Sequence, residues 1–155
     1  MLSSDIIDGF KKAGIPRNYA ADEPVFLADE PSTGMYLILK GEVKVMRRTP
    51  DGELVEVAHM GAGQTMGEIS LLLGQPHSAT VIAVNAVETL LLTQNRLEEL
   101  RDEEPELALN LFEILAYTLA GHMMDQNRWI DELRRKVSKL EARLQEETSP
   151  YSYFN

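Results

Sequence analysis

The sequence predicts a mainly β protein, an antiparallel, jelly-roll-like β-roll with a short N-terminal helix and a long C-terminal dimerisation helix. Three observations carry this. Seven of the ten glycines fall between Gly34 and Gly74, where they punctuate short runs rich in Val, Ile, Leu and Met. From Pro105 onward the apolar residues switch to a helical period. The chain has 155 residues, 44% of them hydrophobic, with no cysteine. That describes one globular domain with an appendage, large enough to hold a core without disulfides or a structural metal.

Ser4 is placed to N-cap a helix carrying Ile6, Ile7 and Phe10 on one face, with Gly14 and Pro16 as stop signals. Five strand-length runs follow: Met35 to Lys40, Val43 to Arg47, Leu54 to Met60, Ser78 to Val84 and Val87 to Leu92. Thr49-Pro50-Asp51-Gly52 joins the second to the third, Pro fixing φ and Gly accepting a positive φ. Asn95 is the expected cap of a short helix Arg96 to Glu103, and Pro105 suits the first turn of the next. The layout is residues 1–104 for the β-roll and its flanking helices, 105–147 for the long helix, and 148–155 for a tail.

In the long helix Phe112, Ala116, Leu119 and Met123 precede a polar break at Gln126. Ile130, Leu133, Val137, Leu140 and Leu144 then follow at alternating three- and four-residue spacing. β-Branched Ile130 and Val137 at a, with Leu133 and Leu140 at d, favour a parallel two-stranded coil. Lys136 and Glu141 would add an interchain pair worth about 0.2–1 kcal/mol. A helix from Phe112 to Leu144 would be about 50 Å long, more than so small a domain can cover. The Phe112–Met123 stretch suits packing on the β-domain as well as it suits dimerisation. The tail, with Tyr151, Tyr153 and Phe154, reads as a disordered end or a small docking tag.

A formal charge of −10 and a pI near 4.7 disfavour contact with nucleic acid or an anionic membrane. The N-terminus lacks the basic and apolar regions of a signal peptide. The apolar stretch Leu107 to Met124 contains Asn110, Glu113 and His122 and reads as a soluble helix, so a cytoplasmic protein is expected. Without cysteine there is no thiolate chemistry, and His59, His77 and His122 match no metal-ligand spacing. No nucleophile elbow, Walker loop or zincin signature occurs, so no catalytic residue is assigned and no enzyme is expected. The carboxylates from Glu98 to Glu106 suit a solvated helix start. Six basic residues from Arg128 to Arg143 are matched by six acidic ones from Asp125 to Glu147, which leaves no phosphate-tracking stripe. Too few residues follow Leu144 for a helix-turn-helix.

The functional signal lies in Met66-Gly67-Glu68-Ile69-Ser70-Leu71 and, after a short gap, His77-Ser78-Ala79. Gly67 permits a close backbone approach, and a helical turn opening there aims free N–H groups at an anion. Glu68 at its mouth suits a sugar hydroxyl, while Ser78 and the Ala79 N–H are placed to close a cradle. This string resembles the cyclic nucleotide-binding domain of the catabolite activator and protein kinase regulatory families. So do Gly41-Glu42-Val43, the Gly61-to-Gly67 approach and the order helix, β-roll, short helix, long helix.

The resemblance implies that Glu68 binds the ribose 2′-hydroxyl. It implies that Gly67, Ile69, Ser70, Ser78 and Ala79 hold the cyclic phosphate of cyclic AMP or cyclic GMP. Val45 and Val57 would line the base side, with His122 and Met123 approaching the purine. No cofactor is required, and the expected partners are a cyclic nucleotide, a second copy of the chain and an unnamed protein effector.

One element departs from the family pattern: His77 stands where relatives carry arginine. Arginine offers a permanent charge in a bidentate fork, and histidine does not. A hydrogen bond to a charged group is worth about 1.5–3 kcal/mol, so its loss weakens a complex roughly 10- to 150-fold. Three readings remain open. His77 becomes protonated by a bound phosphate and binding tightens at acid pH; or the cradle is vestigial and the domain is a dimeric interaction module; or the pocket takes another ligand, a different nucleotide or a haem held by histidine.

Overall fold

The computed structural model describes residues 4–147. In chain order these form α1 (Ser4–Ala13), β1 (Ile15–Tyr19), β2 (Pro24–Phe26), β3 (Met35–Lys40), β4 (Glu42–Arg48) and β5 (Leu54–Gly61). There follow β6 (Thr65–Met66), α2 (Glu68–Leu73), β7 (Thr80–Ala83), β8 (Val87–Leu92), α3 (Gln94–Glu103) and α4 (Pro105–Glu147). The chain divides after Ala116 into a β-rich unit and a helical unit, with α4 contributing to both. The aromatic tail lies outside the described residues, as do the side chains of Ile6 and Leu144.

Two four-stranded antiparallel sheets make the roll, in the orders β1-β8-β3-β6 and β2-β7-β4-β5. The first sheet is covered on both faces, which explains the unbroken apolar runs of its central strands. From β3, Met35 and Leu37 point to a cluster shared with Phe10, Leu100, Leu111 and Ile114, all buried. Tyr36 and Ile38, on the other face, enter a between-sheet cluster with Phe26, Val43, Val81 and Leu91. β8 repeats the alternation, sending Leu90 and Leu92 to the helices and Val87 and Leu91 between the sheets. Each such buried side chain contributes about 1.5–3 kcal/mol relative to exposure.

β3 and β8 have the expected bounds, and the other expected strands shift at their ends. Three details correct the sequence reading. Pro16 lies inside β1 instead of stopping a helix; β1 is an edge strand, where the missing N–H breaks no ladder. The cap of α3 is Thr93, whose hydroxyl accepts the Arg96 N–H at 3.2 Å, and Asn95 lies within the helix. Finally, α4, continuous through Gln126 as expected, packs on the first β-sheet by Ala108, Leu111, Ile114 and Leu115 and not by the expected stripe. The neighbouring stripe through Phe112, Ala116 and Met123 stays exposed.

α4 is long and apolar enough to cross a membrane by length and composition. Its first turns instead seat four residues in the core of the β-rich unit.

Candidate functional site

The site is built around α2, which bridges the end of β6 and the approach to β7. Gly67 precedes the helix at φ 85°, a left-handed conformation that glycine adopts without strain. A Cβ at this position would meet the Gly34 carbonyl oxygen at 2.6 Å and the His77 ring at 3.6 Å. The close backbone approach expected of Gly67 is therefore to the chain itself, and it brings three segments together. Leu71 fastens α2 from below by entering the helix-side cluster.

Glu68 is 4% exposed, unusual for a carboxylate, and accepts a hydrogen bond from the buried Thr65 hydroxyl. Thr65 was not among the expected site residues. The signal for it was the Thr-x-x-Glu spacing, which reads as a helix-start pattern but here joins the two side chains directly. Ser70 is buried, with its hydroxyl 3.5 Å from the Pro76 carbonyl, while Ile69 is exposed.

His77 is 2% exposed. Its ring stacks on Phe26, with centroids 3.9 Å apart and planes inclined by 16°. The Thr33 N–H donates to Nε2 at 3.4 Å, and the Thr33 hydroxyl, itself 2.8 Å from the Tyr36 hydroxyl, lies 3.4 Å from the same nitrogen. Backbone bonds to Glu30 and from Asp29 hold the residue on both sides. Burial pushes the imidazole below its ordinary pKa, against a weaker opposing effect of Glu30. Phe26, Thr33 and Tyr36 are thus the surroundings of His77, contributed by segments distant in sequence.

Past His77 the remaining cradle residues lie in a bend just before β7 and face different surroundings. Ala79 is buried, whereas Ser78 is exposed and lines a cavity of about 730 Å³ with Met46, Arg47, Arg48, Thr80 and Ile82. On the expected base side, Val45 is half-buried against the between-sheet cluster, and Val57 is 51% exposed at a register irregularity between β4 and β5. His122 and Met123 are exposed on the helical unit. His59 pairs with Glu56 at 3.0 Å. Among the described residues no cluster of His, Asp or Glu suits a metal ion.

A two-sheet roll that carries a Gly-Glu turn and a short helix between its sixth and seventh strands defines a jelly-roll-like β-roll domain. Residues 16–104 match the cyclic nucleotide-binding domain model, and the chain belongs to that family. A CRP-like cAMP-activated global transcriptional regulator of Mycobacterium tuberculosis is 28% identical over 104 residues, covering 67% of this chain and 46% of the regulator. The chain thus spans about half the length of that relative.

The crystal structure of the Thermus thermophilus catabolite activator protein is 27% identical with a TM-score of 0.65, over 83% of this chain and 60% of that one. A cyclic nucleotide-binding domain from Methylobacillus flagellatus superposes with a TM-score of 0.75 at 23% identity, over 84% and 74%.

Proposed function

We propose that this chain is a non-enzymatic, cytoplasmic sensor domain that holds cyclic AMP or cyclic GMP weakly and relays occupancy through a dimeric C-terminal helix. The observation that carries the reading is Glu68, a buried carboxylate held by Thr65 at the start of α2, within the family's Gly-Glu string. A carboxylate there accepts a ribose hydroxyl; Gly67, Ile69, Ser70, Ser78 and Ala79 supply the backbone and hydroxyl groups around it, and Val45 and Val57 the base side. The relatives named as cAMP-activated or catabolite-activator proteins support this ligand class.

The relay rests on α4. Phe112, Met123, Ile130, Leu133, Val137 and Leu140 are exposed, an apolar stripe that a second copy of the chain would cover. A ligand that binds better with α4 in one position than in another would favour that position by its differential affinity. The effector is then a protein reached through the paired helices, without direct contact to nucleic acid.

Calorimetric titration with cyclic AMP at pH 7, with cyclic GMP in parallel, tests the reading. Saturable binding between about micromolar and millimolar supports it. The absence of heat up to millimolar ligand, both for the protein and for His77→Arg, overturns it. The burial of His77 favours a second reading, in which the cradle is vestigial and the coiled coil serves as an interaction module.

A further inference from the structure

Glu68 and His77 bring one negative charge and no positive one to the cradle; Arg47 and Arg48 line the cavity that Ser78 reaches, whose walls include neither Glu68 nor His77. Among the described residues Glu68 is bonded by Thr65 and has no ion pair, and the charged group that acts on His77 is Glu30, another carboxylate. The Thr33 N–H donates to Nε2 of His77 at 3.4 Å, which suits an unprotonated nitrogen, and burial favours the neutral ring in the same sense. A phosphodiester placed at His77 would bring a second negative charge toward a buried carboxylate, with no cation at that position to receive it.

The pattern of donors and acceptors points the same way. A carboxylate only accepts, offering about four lone-pair sites on two oxygens, and Thr65 occupies one of them. What Glu68 lacks is donors from a ligand. A 3′,5′-cyclic nucleotide has a single free ribose hydroxyl, the 2′, because the phosphate ties up the 3′ oxygen. The uncyclised, unphosphorylated nucleoside offers the 2′ and 3′ hydroxyls side by side, a donor pair matched to two carboxylate oxygens.

We propose that the cradle is specific for an uncharged ribose diol, and that it binds a nucleoside at least as tightly as the cyclic nucleotide of the same base. The inference rests on the reading of Glu68 as the ribose acceptor. His77 is then the residue that sets ligand class: buried beside Phe26, it removes the charge that would select phosphate.

Titration of the full chain with adenosine and cyclic AMP, and with guanosine and cyclic GMP, tests this directly. The expected result is a nucleoside Kd equal to or below that of its cyclic counterpart. 2′,3′-Dideoxyadenosine, which lacks both hydroxyls, should bind at least about tenfold more weakly in the unaltered protein, a comparison that needs no variant.

His77→Arg, checked for folding by its melting transition, should shift the preference toward the cyclic nucleotide by roughly 10- to 150-fold. A cyclic nucleotide that binds the unaltered protein more than tenfold tighter than its nucleoside overturns the inference and leaves the sensor reading standing. Cyclic AMP binding confined to the arginine variant, with no nucleoside bound by either, also overturns it while supporting the ribose role of Glu68. If neither protein binds any of the four ligands, the sensor reading falls as well.

Discussion

The imidazole of His77 lies face to face with Phe26, centroids 3.9 Å apart, while its Nε2 receives the backbone N–H of Thr33. A side chain that stands where relatives carry an arginine is thus part of the packing that joins β2, the loop before β3 and the approach to β7. Stability and ligand chemistry meet in one residue, and the first predictions concern it.

Truncation of the stack should be costly. Phe26→Ala removes a buried ring from the between-sheet cluster and exposes one face of His77, and is expected to destabilise the fold by about 3–5 kcal/mol. Urea denaturation at pH 7 reads the change as a lower midpoint with a similar slope. A loss below about 1 kcal/mol would mean that the stack is not maintained in solution.

His77 also makes stability depend on pH with a definite sign. Its folded-state pKa lies below the ordinary value of about 6.5, so between the two values the unfolded chain binds the extra proton. The contribution of the neutral ring is fully present above about pH 6.5 and is lost as pH falls through the lowered value. Denaturation midpoints of the protein and of His77→Gln, compared at pH 7.5 and 5.5, isolate this group from the carboxylates. The difference between the two proteins should be larger at pH 7.5. An unchanged difference would place the ring in solvent.

Thr65 and Glu68 form a pair in which each substitution reports differently. Thr65→Val leaves the buried carboxylate without its donor and is expected to cost about 1–3 kcal/mol in thermal or chemical unfolding. Glu68→Gln keeps the shape but replaces one accepting oxygen with a donor, and should lower nucleoside affinity at least about tenfold in calorimetry.

Gly67→Ala should be damaging out of proportion to its size. The left-handed backbone and the Gly34 carbonyl at 2.6 Å from an added Cβ leave no room without moving β6 or the loop before β3. The expected cost is at least about 1 kcal/mol, with weakened ligand binding. Gly52→Ala is the control: its φ is also positive, at 89°, but nothing lies within 4 Å, so it should lose stability from backbone strain alone and leave binding unchanged.

The helical stripe predicts an association behaviour. Val137→Glu, alone or with Ile130→Glu, places a charge at a positions of the heptad pattern and should convert a dimer to monomer in sedimentation velocity. Melting of the β-rich unit should be unaffected, because its core residues lie before Ala116. A monomeric parent protein at hundreds of micromolar would remove the basis for a relay through paired helices.

Most of the roll could be read from sequence because β3 and β8 are buried on both faces and so appear as unbroken apolar runs. β1 was hidden because Pro16 signals a break, and only its position at a sheet edge makes proline tolerable there. In α4 the packing face was displaced from Phe112 to Leu111 and Leu115, since both neighbouring stripes are apolar and spacing alone does not choose between them. The Gly67-Glu68 turn was legible as a motif. The surroundings of His77 were not, because Thr33 lies 44 residues away and nothing local links Phe26 or Thr33 to a histidine.

Glu68 and Leu71 stand three residues apart on α2, one in the cradle and the other in the cluster where α4 begins at Ala108, Leu111 and Leu115. Were a ligand to move the carboxylate, a helix of only six residues would carry Leu71 with it. That shift would then reach the root of the long helix through the shared cluster, without passing through either sheet. Shaving Leu71 to alanine would therefore cut the transmission while leaving the grip on the ligand, which separates the two halves of a sensor that ligand titrations alone would leave fused.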